Sequence, residues 1–551
     1  MNSLFRCGLL GVVVLLLGLM PSVSGAADPE PDAPVHLHHI ARGETLIGLG
    51  RRYLADSRRW RELARASALR DPNRIAVGTT LRIPLRLMRV ESLSASLESV
   101  VGEARGSAPE PLQSGQALAE GGEVNTGPDG HVTIRLVDGT VLRLRPGSRL
   151  LLRESRRVRD ADVVRSGARL ERGRVEIEAA PARAGRPGFN IDTPQGVLGV
   201  RGTEFRVASD VEQGVTRGEV LGGAVAFDGS GGGAAGRRVP AGYGTVIDVQ
   251  GRVAPAVPLL EAPDVAGLPV LQEQILLRFA LVPMEGAVAY RGQIARDARF
   301  DQVVADLRTT AAELRFSDLP DGDYVLRVRG IDARGLEGRD VDHRFRLKAR
   351  PEPPMPSAPA PRAVLPAGRV EFAWAANREA QSYRLQLAGD AGFGTPLRDL
   401  GDLEALTTSI EGLVPGVYQW RLASVRAAGD QGPWGPARRL ELRALPVTPQ
   451  PAVGDRSVSF AWDGLPGQTF EFQLARDAAF ADKIIERTLD QPGIDLPLPG
   501  TGRFHFRFRA RDADGFVGPY TTPQHIDVPN CLRDSSGACV RVGDRTVNLA
   551  P

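Results

Sequence analysis

The chain has 551 residues, a formal net charge of +3, and 42% hydrophobic and 25% charged residues. This length exceeds one hydrophobic core and predicts about three to five domains. The nearly balanced charge gives no indication of a nucleic acid or another polyanion as partner.

The N-terminal segment is typical of a secretory signal peptide. Arg6 precedes an apolar run from Leu9 to Met20, and the small residues Ser24-Gly25-Ala26 follow. The run is too short for a good transmembrane helix. We therefore expect residues 1–26 to be cleaved and the mature protein to reside in the periplasm or cell envelope.

Residues 35–86 show the order strand–helix–helix–strand. Thr45 is placed to cap a helix in which Leu46, Leu49 and Tyr53 repeat at helical spacing. A second short helix around Trp60 follows, and residues 78–84 are typical of a turn and a closing strand.

The run Gly43-Glu44-Thr45-Leu46 and the later run Val77-Gly78-Thr79-Thr80-Leu81-Arg82-Ile83-Pro84 resemble the two ends of a LysM domain. The resemblance implies binding of the N-acetylglucosamine-containing glycan of peptidoglycan or chitin. It assigns the glycan groove to Gly43, Glu44, Thr45, Leu46, Asn73, Arg74 and Ile75. Many members carry Asp in place of Glu44, so a LysM fold that no longer binds glycan tightly is the alternative.

Three histidines, His36, His38 and His39, lie near the start of this unit. His36 and His38 share one face of a strand and could reach one metal ion. Since no cysteine or spaced partner accompanies them, a solvated terminal strand is the expectation, and we predict neither a metal nor a cofactor.

Residues 110–252 are rich in glycine and in short alternating segments, such as Val132-x-Ile134-x-Leu136 and Val175-x-Ile177, which are typical of half-buried strands. Within them, Val200-Arg201-Gly202-Thr203-x-Phe205 resembles the signature of the FecR-type domain, an extracytoplasmic bacterial β-domain. The resemblance implies a binding or signalling role. Arg201, Thr203 and Glu204 could form a ligand site, but the favoured interpretation of Val200, Arg201, Gly202, Thr203 and Phe205 is structural.

From about residue 268 the chain repeats three times with a period of about ninety residues. The aligned positions include Tyr290-x-x-Gln293, Tyr383-x-x-Gln386 and Phe470-x-x-Gln473, then Arg327, Arg421 and Arg507, and finally Gly335, Gly429 and Gly515. This period fits tandem sandwich domains. The repeats, 268–350, 365–444 and 447–528, resemble fibronectin type III domains. The proline-rich residues 351–366 predict a stiff polyproline-like spacer.

The C-terminal tail, 529–551, contains Cys531 and Cys539. An even pair in an exported protein predicts a disulfide, and a two-thiol metal site is the alternative. The predicted fold is therefore mainly β and multidomain, with a small βααβ LysM unit, a FecR-type β-domain and three tandem β-sandwiches.

No arrangement of residues in the sequence indicates catalysis. Four histidines, at positions 131, 343, 505 and 525, are spread over three of the predicted domains, and no phosphate-binding glycine loop is present.

The main hypothesis is an exported, non-enzymatic envelope protein that is anchored to peptidoglycan by its LysM unit and binds an unknown envelope protein or polymer through its other domains. The first alternative is a periplasmic sensor component of an envelope signalling system. Only about eight residues precede the apolar run, too few for a sigma-binding domain, so a sensor would act through a separate membrane partner. A peptidoglycan hydrolase is the remaining alternative.

Overall fold

The computed structural model describes residues 35–161, 163–181, 188–200, 202–231, 236–448, 450–454, 456–532, 534–535, 539–542, 545–547 and 549. Strands hold 51% of the described residues and helices 5%, which confirms a mainly β, multidomain fold. One compact unit contains the described residues up to Leu268, with Phe279–Leu314 and Val325–His343. The other contains Pro269–Arg278, Arg315–Tyr324 and the described residues from Arg344 onward. The predicted signal peptide, 1–26, lies outside the described residues.

The first unit begins with β1 (Val35–His39), α1 (Leu46–Tyr53), α2 (Trp60–Ala66) and β2 (Thr80–Pro84), with 3-10 turns at Ser57–Arg59 and Leu85–Leu87. This is the predicted order of elements. Strands β1 and β2 pair antiparallel, and Thr45 caps α1 because its Oγ1 accepts a hydrogen bond from Gly48 N at 3.1 Å. Val158 and Val163 of the next domain complete the core of these elements.

Residues 90–258 of this unit contain β3 to β19, and their apolar side chains form one core. The strands are β3 (Val90–Ser92), β4 (Ala95–Val101), β5 (Ala104–Arg105), β6 (Ala117–Leu118), β7 (Glu123–Thr126), β8 (His131–Arg135), β9 (Val141–Leu144), β10 (Arg149–Val158), β11 (Val163–Glu178), β12 (Phe189–Thr193), β13 (Gly196–Val200), β14 (Glu204–Asp210), β15 (Val215–Gly222), β16 (Ala224–Gly229), β17 (Arg237–Pro240), β18 (Tyr243–Ile247) and β19 (Val257–Pro258).

The long strand β11 serves two sheets. Its first half pairs with β10 and β12, and after Gly173 it pairs with β9 and β14. Gly173 has φ +88°, and a Cβ atom there would lie 2.4 Å from Ser148 Cα, so the change of sheet requires glycine. Val175 and Ile177 enter the core, which leaves the alternating Arg174 and Glu176 on the outer face.

The first repeat contains β20 (Leu271–Gln272), β21 (Leu277–Ala280), β22 (Ala289–Ala295), β23 (Val303–Thr309), β24 (Glu313–Phe316), β25 (Gly322–Ile331) and β26 (Val341–Leu347). Within the first unit, β22 lies between β23 and β25, and Gln293 is opposite both Asp306 and Arg327. Within the second unit, Leu271 of β20 pairs with Arg346 of β26.

The second repeat consists of two sheets, β27–β29–β32 and β28–β35–β33–β30–β31, with β34 beside β33. Its strands are β27 (Pro356–Ala358), β28 (Ala363–Pro366), β29 (Gly368–Trp374), β30 (Ser382–Ala388), β31 (Arg398–Leu403), β32 (Thr407–Leu413), β33 (Gly416–Val425), β34 (Gln431–Trp434) and β35 (Arg438–Arg443). Residues 351–366 therefore include two strands of this repeat, and the prediction of a spacer there is wrong. Both strands lie at sheet edges, where proline is tolerated.

The third repeat also has two sheets, β36–β37–β40 and β39–β38–β41–β42, which share one core. Its strands are β36 (Ala452–Val453), β37 (Ser457–Ala461), β38 (Thr469–Ala475), β39 (Lys483–Leu489), β40 (Gly493–Pro497), β41 (Gly502–Arg511) and β42 (Gln524–Val528). Two short strands follow, β43 (Arg541–Val542) and β44 (Arg545–Thr546). Cys531 and Cys539 are joined by a disulfide, with Cα atoms 5.5 Å apart.

The sequence repeat recurs as a repeated local structure. A phenylalanine with positive φ lies under an arginine guanidinium in each repeat, at 3.8, 4.2 and 4.0 Å from ring centroid to Cζ; the pairs are Phe300 with Arg327, Phe393 with Arg421 and Phe480 with Arg507. Among the described residues, no helix is long and apolar enough to cross a membrane.

Candidate functional site

A row of alternating charges crosses the outer face of four adjacent strands in the FecR-type region. Arg143 of β9 is opposite Glu176 of β11, and Glu176 is opposite Arg206 of β14. Arg206 is in turn opposite Glu219 of β15. Oppositely charged cross-strand neighbours stabilise a sheet modestly when exposed, yet the side chains of Arg206 and Glu219 are 1% and 0% exposed. Another part of the chain must therefore cover this row.

The covering surface is the face formed by β22, β23 and β25 of the first repeat. On it, the like-charged Arg291 and Arg329 are directly opposite each other. Glu337 lies between them, 2.8 Å from Arg291 Nε and 2.9 Å from Arg329 Nη1. Because like charges in this position repel, Glu337 stabilises the face together with Asp306, which pairs with Arg291, and Asp340, which pairs with Arg329.

Ion pairs join the two faces directly. Arg174 Nη1 lies 3.0 Å from a Glu337 oxygen, and Arg206 Nη1 lies 3.2 Å from Asp340 Oδ1. In the opposite direction, Arg329 Nη1 donates to Glu176 Oε1 at 2.9 Å. Arg206 Nη2 also donates to the carbonyl oxygens of Glu337 and Gly338.

These groups form a cluster of five arginines and five carboxylates, which we call the ion cluster. Its members are Arg145, Arg174, Glu176, Arg206, Glu219, Arg291, Asp306, Arg329, Glu337 and Asp340. Its formal charge is zero, which meets the requirement that buried charges be paired.

The directions of the pKa shifts differ among the carboxylates of the cluster. Burial alone raises the pKa of Glu337, but Arg174, Arg291 and Arg329 overcome this effect and hold the pKa well below its ordinary value. The pKa of Glu176 is lowered in the same way, since Arg145 and Arg329 outweigh its burial. Burial raises the pKa of Glu219, and Arg174 and Arg206 offset this effect only in part.

A polar cleft of about 410 Å³ borders the ion cluster. Five arginines and four carboxylates line it, namely Arg135, Arg143, Arg206, Arg299 and Arg327 with Glu176, Glu178, Glu204 and Asp340. With its charges nearly balanced, the cleft shows no strong preference for an anion or a cation, and no nucleophile paired with a base lies among these residues.

The predicted FecR signature lies beside the cluster and is mostly in the core. Val200 and Phe205 are buried with 3% and 0% exposure, and Thr203 is also buried. Gly202 has φ +66°, a conformation that favours glycine. Arg201 lies outside the described residues. Arg206, immediately after the signature, is the residue that reaches the ion cluster.

The first predicted glycan loop follows β1 directly. Gly43 has φ +86°, and the Glu44 carboxylate accepts hydrogen bonds from Ala41 N at 2.8 Å and from His38 Nε2 at 2.7 Å. These bonds lower the pKa of Glu44. Thr45 is exposed, whereas the Leu46 side chain is buried. Only the backbone of Leu46 could therefore touch a sugar.

The second predicted loop precedes β2. The residues that follow this loop are bonded to the residue that follows β1, since Ile40 N donates to Thr79 O and Gly78 N donates to Ile40 O. Asn73 and Arg74 are exposed, and Ile75 packs partly against the core. Ile40, which precedes the first loop, is thus bonded to Gly78 and Thr79, which follow the second loop, and Asn73 and Arg74 are open to solvent.

Two of the histidines considered as metal ligands have other partners. His38 bonds Glu44 through Nε2 and the Tyr53 hydroxyl through Nδ1, and His39 Nδ1 lies 3.1 Å from Thr80 Oγ1. In the part of the chain that the structure describes, no group of three or more ligand-type side chains is placed to hold a metal.

Sequence reasoning missed the ion cluster. The alternation around Val175 and Ile177 predicted strands correctly, but it did not show what lies against the charged side chains of Arg174 and Glu176. A usable signal was present in the repeats, because the first repeat carries acids at Glu337 and Asp340 where the aligned positions of the other two repeats are uncharged.

Comparison with known proteins finds one matching family. Residues 122–226 match the FecR family, described as "FecR protein", and this confirms a FecR domain within the predicted range 110–252. A search of curated proteins finds no match.

Many solved structures are similar to parts of the chain, and two of them represent the two kinds of match. The first, from Parabacteroides distasonis ATCC 8503, is described as a candidate anti-sigma factor; it is 21% identical, with a TM-score of 0.21, over 25% of this chain and 59% of that structure. This chain thus spans less than two thirds of its length. The second, the FN1–FN3 domains of chicken CNTN1, is 14% identical, with a TM-score of 0.19, over 48% of this chain and 98% of that structure.

Proposed function

We propose that this protein is a non-enzymatic, extracytoplasmic sensor component of an envelope signalling system. The observation that carries the proposal is the FecR match at residues 122–226, which favours the signalling alternative over the anchoring hypothesis. The polypeptide is exported, and the FecR domain passes information to a separate membrane protein.

The ion cluster supports this role physically. A domain that relays a signal must transmit a change at one surface to another, and packed elements held by buried contacts do so better than flexibly tethered ones. The cluster joins the FecR domain to the first repeat by contacts within one compact unit. A change in either partner would therefore be felt by the other.

The proposal is tested by photo-crosslinking in intact cells of the bacterium that carries the gene. A photoreactive residue is placed at Val197, which is 39% exposed on the FecR domain, and as a matched control at Leu397, 51% exposed on the second repeat. We expect the Val197 variant, more than the Leu397 variant, to capture a membrane signalling protein, and deletion of the gene to change the transcription of a defined set of genes. Capture of wall polymer alone, with unchanged transcription, would refute the proposal.

A second function, anchoring to peptidoglycan, is favoured by one observation. The loop around Glu44 follows β1, the loop around Asn73 precedes the β2 strand that pairs with β1, and both loops expose polar groups. Backbone amides and short polar side chains of this kind can bond the acetamido groups of the glycan. Anchoring and sensing are compatible, since an anchored sensor stays close to the wall.

Anchoring predicts that the variant with both Asn73→Ala and Arg74→Ala binds purified sacculi at least about fivefold more weakly in co-sedimentation, because two exposed hydrogen-bonding side chains are removed. The matched control is Arg65→Ala, an exposed change on α2. Point variants are preferable to deletion of residues 36–84, which would uncover Val158 and Val163. Equal binding by the unmodified protein, the double variant and the Arg65→Ala control would exclude this groove as the glycan-binding site.

A further inference from the structure

The three repeats differ at two positions that can be aligned without ambiguity. The residue two positions after Gly335, Gly429 and Gly515 is Glu337, Gln431 and Val517, respectively. The residue five positions after each glycine is Asp340, Trp434 and Tyr520, respectively. Only the first repeat has acids at both positions.

The structure shows that the first of these two positions is equivalent in space in the three repeats. Glu337, Gln431 and Val517 form bridges with Ile331, Val425 and Arg511 respectively, each four residues after the aligned arginine. Gln431 even keeps a contact of Glu337, because it accepts a hydrogen bond from Arg384, the counterpart of Arg291.

The rest of this sheet face is shared. In every repeat a glutamine donates to an acid on the neighbouring strand, at 2.6, 2.9 and 2.6 Å; the pairs are Gln293 with Asp306, Gln386 with Asp399 and Gln473 with Glu486. The three faces are therefore variants of one surface, and the two variable positions distinguish them.

What the variable residues do depends on the repeat. In the second and third, Trp434 and Tyr520 cover the guanidinium groups of Arg421 and Arg507 at 4.5 and 4.3 Å. In the first, Asp340 instead reaches Arg206 of the FecR domain, and Glu337 reaches Arg174.

The exposure of the three faces follows the same division. The side chains of Arg291 and Asp306 are 15% and 4% exposed, whereas those of their counterparts Arg384 and Asp399 are 41% and 30% exposed. Glu486 of the third repeat is 56% exposed.

We propose that the first repeat is a docking module dedicated to the FecR domain, and that Glu337 and Asp340 encode this specificity. An aromatic residue in place of Asp340, as in the other two repeats, would leave the buried guanidinium of Arg206 without its aspartate, at a large desolvation cost. The face of the first repeat formed by β22, β23 and the later part of β25 is thus part of the unit that contains the FecR domain, and the second and third repeats keep the equivalent face more exposed.

The test gives the full chain the residues of the second repeat, by Glu337→Gln with Asp340→Trp, and measures hydrogen exchange by mass spectrometry. We expect amide exchange in β14 and β15 to accelerate at least about tenfold, since the buried arginines lose their carboxylates. The matched control is Val517→Gln with Tyr520→Trp, which installs the same residues on the open face of the third repeat and should leave β14 and β15 unchanged.

The milder single change Asp340→Asn covers the case in which the double variant does not fold; it should give a smaller acceleration in the same two strands. A rise confined to β22 and β25 would mean that these acids only stabilise their own repeat, and would overturn the proposal. Unchanged exchange in β14 and β15 in both variants would also overturn it.

Discussion

Replacing Arg206 with alanine is expected to lower the free energy of unfolding of the FecR domain by about 3–5 kcal/mol. Arg206 has a 1% exposed side chain and lies within 4.0 Å of carboxylate oxygens of Glu219, Glu337 and Asp340. Removing it leaves these acids facing the remaining arginines with one cation too few. Uncompensated buried charge is among the few causes of destabilisation this large.

The measurement follows hydrogen exchange of peptides from residues 122–226 at increasing denaturant concentration, and compares the denaturant concentration at the midpoint of unfolding between the variants. Exchange is the suitable probe, because all five tryptophans lie outside residues 85–350 and fluorescence would not report on this domain. The matched control is Arg237→Ala, an exposed arginine of β17, which should change stability by less than about 0.5 kcal/mol. Equal stabilities of the two variants would show that the ion cluster contributes nothing to stability.

The second large effect is expected for Phe205→Ala, which should destabilise the same domain by about 3–5 kcal/mol. Phe205 is 0% exposed in the core, so truncation removes many apolar contacts and leaves a cavity. The result would support the structural interpretation of the FecR signature. A role in binding a ligand would instead predict lost binding with unchanged stability.

Val197→Ala is the control for this variant. Val197 lies on β13 of the same domain but is 39% exposed, and its truncation should cost less than about 1 kcal/mol. The same exchange measurement applies. Comparable losses of stability in Phe205→Ala and Val197→Ala would mean that burial in the core does not determine the cost of truncation. This outcome would contradict the structural interpretation of the FecR signature.

If the ion cluster holds the β22, β23 and β25 face of the first repeat against the FecR domain, the three repeats have unequal roles. The first stabilises the FecR domain, so partners that the repeats recruit would meet the second and third. The contrast rests on paired positions in one chain, such as Glu337 and Gln431, and needs no comparison with another protein.

Several local features were predictable from the residues alone. Thr45 as a helix cap, the buried positions Leu46, Leu49 and Tyr53, and the strand around Val175 all followed from capping chemistry and periodicity. Such features depend on neighbours in the chain, so a window of a few residues contains the information. The FecR signature was equally local.

The proline-rich residues 351–366 show where this reasoning failed. Their composition predicted an isolated extended spacer, and their backbone is indeed partly extended. Pairing with β29 and β35 converts this extended backbone into strands, and the pairing partners lie up to about eighty residues away. Composition does not reveal such partners.

By itself, the sequence determined the mainly β character, the signature at Val200–Phe205, the three repeats and the acids that distinguish the first of them. Only the tertiary structure decided that Arg206 is buried and that Arg174 and Glu176 are mostly covered, because a strand pattern shows which residues share a face but not what covers that face. Burial of a charge depends on a partner surface of opposite charge, and here that surface lies more than one hundred residues further along the chain.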